Sequence, residues 1–370
     1  DLIELNEIPA PPFEEEDRAV HFGQMLLQSG LIHVHHDDEG NVLGWRPGRN
    51  NDRKVAYTAH LDTVFPAGTD VTVRVDGDTL FAPGIGDNTR GLVVLLGVLR
   101  ALQHGNVETD SDIYFVGNVG EEGLGDLRGV KHLFSADGPG IDSMIAVDGG
   151  SASRLVYGGV GSHRYRVTFK GPGGHSWGAF GRASPHHALG RAIDEFVRNA
   201  PAVAAEGPKT SFNVGRIGGG TSVNSIAFES WMEIDLRSGD QTKLDAIDGV
   251  LREAVTKALA QENAARKNGD ELTVNIERIG TRPAALGDTS SPLVQRALAA
   301  MRALGVEPEL AISSTDANYP ISIGVPAVTM SRGGKGANAH APNESWQDID
   351  SHVAIQIGLL TLLAEAGLAD

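Results

Sequence analysis

The residues His60-Leu-Asp62 close the apolar run Lys54 to Leu61. Strand residues two apart point to the same face, so this run would present an imidazole and a carboxylate together at its end. Four more places repeat the pattern. "GIGDNTRG" sets Asp87 among glycines just before an apolar helix, and "IYFVGNVGEEG" ends in Glu121 and Glu122. "MIAVDGG" ends in Asp148, and the late loop "SRGGKGANAHAPNESW" holds His340. In parallel α/β sheets ligands gather beyond the carboxyl ends of the strands. Nitrogen and oxygen donors of this kind suit zinc, cobalt or manganese. One catalytic zinc takes three protein ligands and a water, fewer than this set supplies. Two ions ~3.5–4 Å apart, sharing a bridging carboxylate, would use it. Each piece alone has a plainer explanation, such as a rim histidine, a solvated glutamate pair or an aspartate in a turn. The metal reading rests on all five falling at one sheet edge.

The elements that must position these groups follow from hydrophobic period. "PPFEEEDRAVHFGQMLLQSG" reads as a helix, with prolines before it, acids in its first turn and Gly30 after it. "LIHVHH" and "NVLGWRP" read as strands about a turn at "DDEGN", and "RKVAYTAHLD" as a buried strand. "GLVVLLGVLRALQHG" is apolar nearly all round, which predicts a buried helix. Continuous apolar strands alternating with helices predict an α/β fold, a mostly parallel sheet with helices on both faces. From about Val160 the texture changes to clean alternation, as in "HRYRVTFKG". The following segments predict the order β-α-β-β-α-β, a ferredoxin-like unit. Thr242 and Asp245 fit a capping box at its second helix. The expected organisation is a catalytic domain of residues 1–159 and 284–370, interrupted by a lid or dimerisation domain of residues 160–283.

Length and composition narrow the class. A chain of 370 residues suits about two domains. Its net charge of −17 argues against nucleic acid and against an anionic membrane surface. With no cysteine, disulfides, thiolate ligands and a Cys nucleophile are excluded. No apolar run reaches the ~18 residues of a membrane span, and the first residues lack the order of a signal peptide, so the expected location is cytoplasmic. His33, His35 and His36 in "HVHH" resemble a metal cluster but have no carboxylate strand end beside them, and they read as a solvated edge. Neither a phosphate-binding GxxxxGK[ST] loop nor a G-x-S-x-G elbow is present.

The motifs "HLDTVF", "GIGDNTRG", "GEEG", "VDGG", "GGHS" and "NAHAPNE", in this order over essentially the whole chain, resemble the M20 family of di-metal peptidases and amidohydrolases. The resemblance implies that His60, Asp87 and Asp148 hold one ion, and Asp87, Glu122 and His340 the other, with Asp87 bridging and its peptide to Asn88 cis. The ions would be zinc, with cobalt or manganese as alternatives. Asp62 would accept a ring N–H from His60 and fix its tautomer. Glu121 would be the general base, taking a proton from the bridging water and passing it to the leaving amine. His175 in "GPGGHSWG" would reach the site of a partner subunit and stabilise the oxyanion, implying a homodimer through residues 160–283. Asn224 and Arg237 would contact substrate, the guanidinium holding a carboxylate, and the backbone of Gly333 and Gly334 would face it. An Asp at position 148, and the opening "EIPAPPFEEE", resemble the aminopeptidase and tripeptidase branch. The expected activity is therefore hydrolysis of small peptides by a di- or tripeptide aminopeptidase. The alternatives are an N-acyl-amino-acid amidohydrolase or glutamate-type carboxypeptidase and, from another class, a non-catalytic binding protein on the same fold.

Overall fold

The computed structural model describes residues 1–369. In chain order the first part holds α1 (Glu16–Gln28), β1 (His33–His36), β2 (Val42–Arg46), β3 (Lys54–His60), α2 (Gly91–His104), β4 (Asp112–Asn118), α3 (Arg128–Leu133), β5 (Ser143–Val147) and β6 (Arg154–Gly159). Next come β7 (Gly161–Lys170), α4 (Pro185–Ala204), β8 (Thr210–Gly219), β9 (Glu229–Ser238), α5 (Gln241–Ala265) and β10 (Thr273–Arg282). The chain finishes with α6 (Pro292–Ala303), β11 (Glu309–Ser313), α7 (Asn318–Ser322), β12 (Ala327–Met330) and α8 (His352–Ala366). It forms two compact units, residues 1–159 with 285–370, and residues 160–284. Ala284 falls in the second unit, where its N–H donates to Gln241 Oε1 at 3.0 Å.

The first unit is a mixed α/β sheet in the order β1-β2-β4-β3-β5-β12-β6, with β11 parallel to β6. Its centre is parallel: β4, β3, β5 and β12 run the same way. The β1-β2 and β2-β4 pairs at one side, and β12-β6 at the other, are antiparallel. The parallel strands are apolar on both faces because both are covered. Val55, Tyr57 and Ala59 of β3 pack with α2, α6 and α8, while Ala56 faces the opposite layer with Val130 and Leu133 of α3. Residues β1 and β2 were expected to supply a solvated edge, and His33, His35 and His36 are exposed there. The first long helix starts at Glu16 rather than after the prolines, because Phe13 adopts φ 75 and cannot be helical.

The second unit has sheet order β8-β9-β7-β10, antiparallel throughout, with α4 and α5 on one face. Alternation sends Tyr165, Val167 and Phe169 of β7 into that core, each fully buried. The α5 cap differs from the Thr242 capping box: Asp240 is the N-cap, and its carboxylate accepts the Lys243 N–H at 2.9 Å. Its side-chain oxygen reaches the third amide of the helix, so the helix starts before Thr242. No helix among the described residues is long and apolar enough to cross a membrane.

Candidate active site

Parallel strands place their carboxyl ends together, and the candidate groups collect there. His60 ends β3, opposite Asn118 at the end of β4. The chain leaves β4 through Gly120, at φ 69, and presents Glu121 and Glu122. Asp148 follows β5, its N–H donating to Met330 O of β12 at 2.8 Å. Asp87 lies in the π turn Ile85–Arg90, which leads into α2, and the Asp87–Asn88 peptide is cis. Asn88 Nδ2 donates to Val147 O at 2.8 Å, tying that turn to β5. His340 adopts φ 66 in the loop between the short strands Lys335–Ala337 and Ser345–Gln347.

These side chains form overlapping triads. Donor atoms of His60, Asp87 and Asp148 lie within 4.8 Å of one another, as do those of Asp87, Glu122 and His340. His60, Glu121 and Glu122 form a third such group, so Glu121 stands beside the ligand atoms. Asp87 is common to the first two and divides its oxygens between them. Its Oδ1 is 3.5 Å from His60 Nε2, and its Oδ2 is 3.3 Å from His340 Nε2. That is the disposition a bridging carboxylate needs. His60 Nε2 is buried with no hydrogen-bond partner, while Nδ1 faces the Asp62 carbonyl oxygen at 3.0 Å. With the proton on Nδ1, Nε2 offers a lone pair toward Asp87. An orphaned buried nitrogen among hard oxygen donors fits a divalent cation.

Asp62 does more than the sequence indicates, and does it with different atoms. The His60 ring is held by the Asp62 backbone carbonyl; the carboxylate, at 3.6 Å from Nδ1, is too far for that bond. Instead Asp62 Oδ1 accepts the Glu121 N–H at 3.0 Å, and Oδ2 accepts the Glu122 N–H at 2.6 Å. One buried carboxylate therefore fixes the backbone of both glutamates.

Electrostatics follow from crowding acids around two imidazoles. Burial alone would pull His60 down, but the Asp62 and Asp87 carboxylates outweigh it and hold its pKa well above the ordinary range. Hydrogen bonds to Asp87 and Glu122 raise His340 to about 10. Burial raises Asp87, yet His340, His60 and Arg332 together hold it well below the usual carboxylate range. Asp148 is raised by burial and by the charge of Asp87.

Three contributors were not singled out from sequence. Arg332 Nη1 lies 3.0 Å from Asp87 Oδ1 and 3.6 Å from Asp148 Oδ1, offsetting repulsion between two ligands. Glu344 is buried and accepts the N–H groups of Gly84 (2.9 Å), Gly86 (3.0 Å) and Asp87 (2.8 Å), so it shapes the turn that carries Asp87. Asp316 is buried behind the site, accepts from Asn118 Nδ2 at 2.8 Å, and is pushed up to about 7 by burial and by the charges of Asp62 and Asp148. Arg332 and Glu344 sit inside quoted motifs, but neither ends a strand, which was the signal used.

The remaining candidates divide. Gly333 and Gly334 have φ 70 and 74, and a Cβ there would come within 2.6 Å of Ala354 Cβ and 2.4 Å of Trp346 Nε1. Packing alone explains these glycines. In the second unit His175 pairs in register with Ser225, next to Asn224, and its Nδ1 accepts the N–H groups of Trp177 (3.2 Å) and Gly178 (3.3 Å). The neutral ring then carries its proton on exposed Nε2. Arg237 lies elsewhere, near the far end of β9, with Nε donating to Asp235 Oδ2 at 2.7 Å. Gly219, shortly before Asn224 in the chain, pairs with Ser230. Seven strand residues separate Ser230 from Arg237, about 23 Å at 3.3 Å per residue.

Comparison with known proteins gives the chain its relatives. The family model described as "Peptidase family M20/M25/M40" matches residues 56–366. Carboxypeptidase G2 of a Pseudomonas species is 27% identical over 323 residues, 84% of this chain and 73% of that protein. The aminopeptidase PepT from Bacillus cereus shares the fold with a TM-score of 0.76 at 19% identity, over 99% of this chain and 97% of that one. A tripeptidase from Staphylococcus aureus also gives 0.76, at 21% identity over 98% and 97% of the two chains.

Proposed function

Because the chain belongs to peptidase family M20/M25/M40, and so is a hydrolase acting on amide bonds, we propose that it is a di-metal aminopeptidase of di- and tripeptides. The observation that carries the reading is Asp87, whose two oxygens face the histidines of two different triads, with Glu121 beside them. His60, Asp87 and Asp148 would hold one ion, and Asp87, Glu122 and His340 the other. Zinc suits these donors, as do cobalt and manganese. Two such ions lower the pKa of a bound water and polarise the scissile carbonyl.

The chain's own groups supply the rest. The Glu121 carboxylate takes the proton of the attacking water and delivers it to the leaving nitrogen. Asp62 holds the Glu121 and Glu122 backbones during that transfer. His175 Nε2–H donates to the carbonyl oxygen as charge develops, and Asn224 lies beside it. Arg237 would grip a substrate carboxylate. At about 23 Å along β9, one copy's second unit cannot offer both Arg237 and His175 to one small peptide. This supports a homodimer in which His175 and Asn224 serve the partner's site.

Peptide specificity is favoured by Asp at position 148 and by the fold shared with an aminopeptidase and a tripeptidase. A second reading, a glutamate-type carboxypeptidase or N-acyl-amino-acid amidohydrolase, is favoured by the sequence relative carboxypeptidase G2. Metal-free enzyme reconstituted with zinc, cobalt or manganese, then assayed on Ala-Ala-Ala beside N-acetyl and N-succinyl amino acids, separates them. Turnover of only the acylated set would sink the peptidase reading. Glu121→Gln should retain metal and lose roughly 10²–10⁴-fold in kcat; wild-type turnover would remove Glu121 from the base role.

A further inference from the structure

The loop from Val119 to Gly129 carries both glutamates, and its backbone is far from relaxed. Gly120, Gly123, Asp126 and Leu127 all have positive φ, at 69, 55, 56 and 60. Leu127 is fully buried, and a bulky residue in the left-handed region persists only where its surroundings over-determine it. The loop closes on itself through Gly129 N–H to Val119 O (3.1 Å) and Leu127 N–H to Gly120 O (2.8 Å). Its outward-facing Val119 N–H and Gly129 C=O still need partners inside the protein.

Both find the same one. Asn41, fully buried at the end of the β1–β2 turn, accepts the Val119 N–H on Oδ1 at 3.0 Å. Its Nδ2 donates to Gly129 O at 2.9 Å and to Asp37 Oδ2 at 2.6 Å. Asp37 Oδ1 in turn accepts the N–H groups of Glu39, Gly40 and Asn41 at 3.0, 2.9 and 2.9 Å. Only a side chain with one acceptor and two donors satisfies this set. Position 129 must be glycine, since a Cβ there would lie 2.2 Å from Asn41 Oδ1. The same turn grips the loop from outside: Arg128 Nη1 donates to Glu39 O at 2.8 Å and Oε1 at 2.9 Å.

We propose that Asn41 is a positioning residue for the reaction: through the two ends of the 119–129 loop it sets where Glu121 and Glu122 stand. The proposal rests on the roles given above to those glutamates. A displacement of about 1 Å in a reacting group can cost about 100-fold in rate, so a brace at the loop's base has leverage on kcat. The turn "DDEGN", a plain hairpin by sequence, acquires this task only through tertiary contact.

The test uses the full-length enzyme with Asn41→Ser, which is too short to span both partners, and Asn41→Asp, which sets a carboxylate against Gly129 O and Asp37. Asn41→Ser guards against a variant that fails to fold. The expected result is a 10–100-fold fall in kcat with KM little changed, and a similar fall in zinc affinity measured by chelator competition. In metal-free protein, hydrogen exchange at the amides of Val119, Glu121 and Glu122 should accelerate while β7 to β10 keep wild-type protection. Wild-type kcat per folded molecule, zinc affinity and loop exchange in folded Asn41→Ser would overturn the proposal. Glu121→Gln, run alongside, separates the two claims. If it keeps turnover while Asn41→Ser still frees the loop amides and weakens zinc, the base assignment fails and the brace stands.

Discussion

Asp62 is the most economical residue of the site. It is fully buried, its carbonyl sets the His60 tautomer, and its carboxylate holds the two amides that precede the glutamate side chains. Two-residue strand spacing made the His60 and Asp62 pairing legible, because period two fixes a face. Period does not say which oxygen does which task, and the assignment of the carboxylate to the ring was wrong in that detail. Arg332, Glu344 and Asp316 were illegible for a related reason: each acts from a loop, on partners far away in sequence. Loss of Asp62 leaves every proposed metal donor in place, so Asp62→Ala should weaken metal binding about 10–100-fold without abolishing it. Asp87→Ala removes the donor shared by two triads and should cost both ions. Metal content per chain after dialysis, by elemental analysis, checks both. Equal retention in the two variants would contradict the bridging role.

At the scale of elements, the sheet and the second unit were readable because their hydrophobic periods are pure. The turn Ile85–Arg90 was not, since its shape is set by Glu344 from another part of the chain. Replacing Glu344 with Gln leaves one acceptor oxygen and points an NH₂ at a backbone N–H. The expected cost is about 1–3 kcal/mol of stability for the groups left unpaired, with weakened metal binding because Asp87 shifts. Thermal unfolding and zinc titration measure the two. A different element carries a pH dependence. In the second unit Asp248 accepts from Tyr165 Oη at 3.0 Å, with Arg252 Nε 3.2 Å and His163 Nδ1 3.7 Å away. Burial raises its pKa, but those partners outweigh it and the net shift is downward. A carboxylate with a folded pKa below its unfolded one contributes stability above the ordinary carboxylate range and loses it as pH falls through the folded value. Asp248→Asn should therefore be less stable than wild type at neutral pH, with a flatter decline in Tm between about pH 5 and the acid limit. Parallel Tm curves over that range would show that Asp248 carries none of the acid sensitivity.

For the whole molecule, division into residues 1–159 with 285–370 and residues 160–284 separates the metal triads from His175, Asn224 and Arg237. The switch of texture near Val160 was visible in sequence because a covered parallel sheet and a one-sided antiparallel sheet write different patterns. What sequence could not tell is that His175 and Arg237 stand at opposite ends of one sheet, since register and strand order decide that. That separation makes the dimer testable without knowing the substrate. Neither His175→Ala nor Glu121→Gln should be active alone. Refolded or exchanged together in equal amounts, random pairing makes half the dimers mixed, and each mixed dimer holds one site with an intact Glu121 from one chain and an intact His175 from the other. A closed two-fold dimer therefore predicts recovery of about one quarter of wild-type turnover. If both residues act within one chain, no mixture contains an intact site, and activity stays at the level of the separate variants.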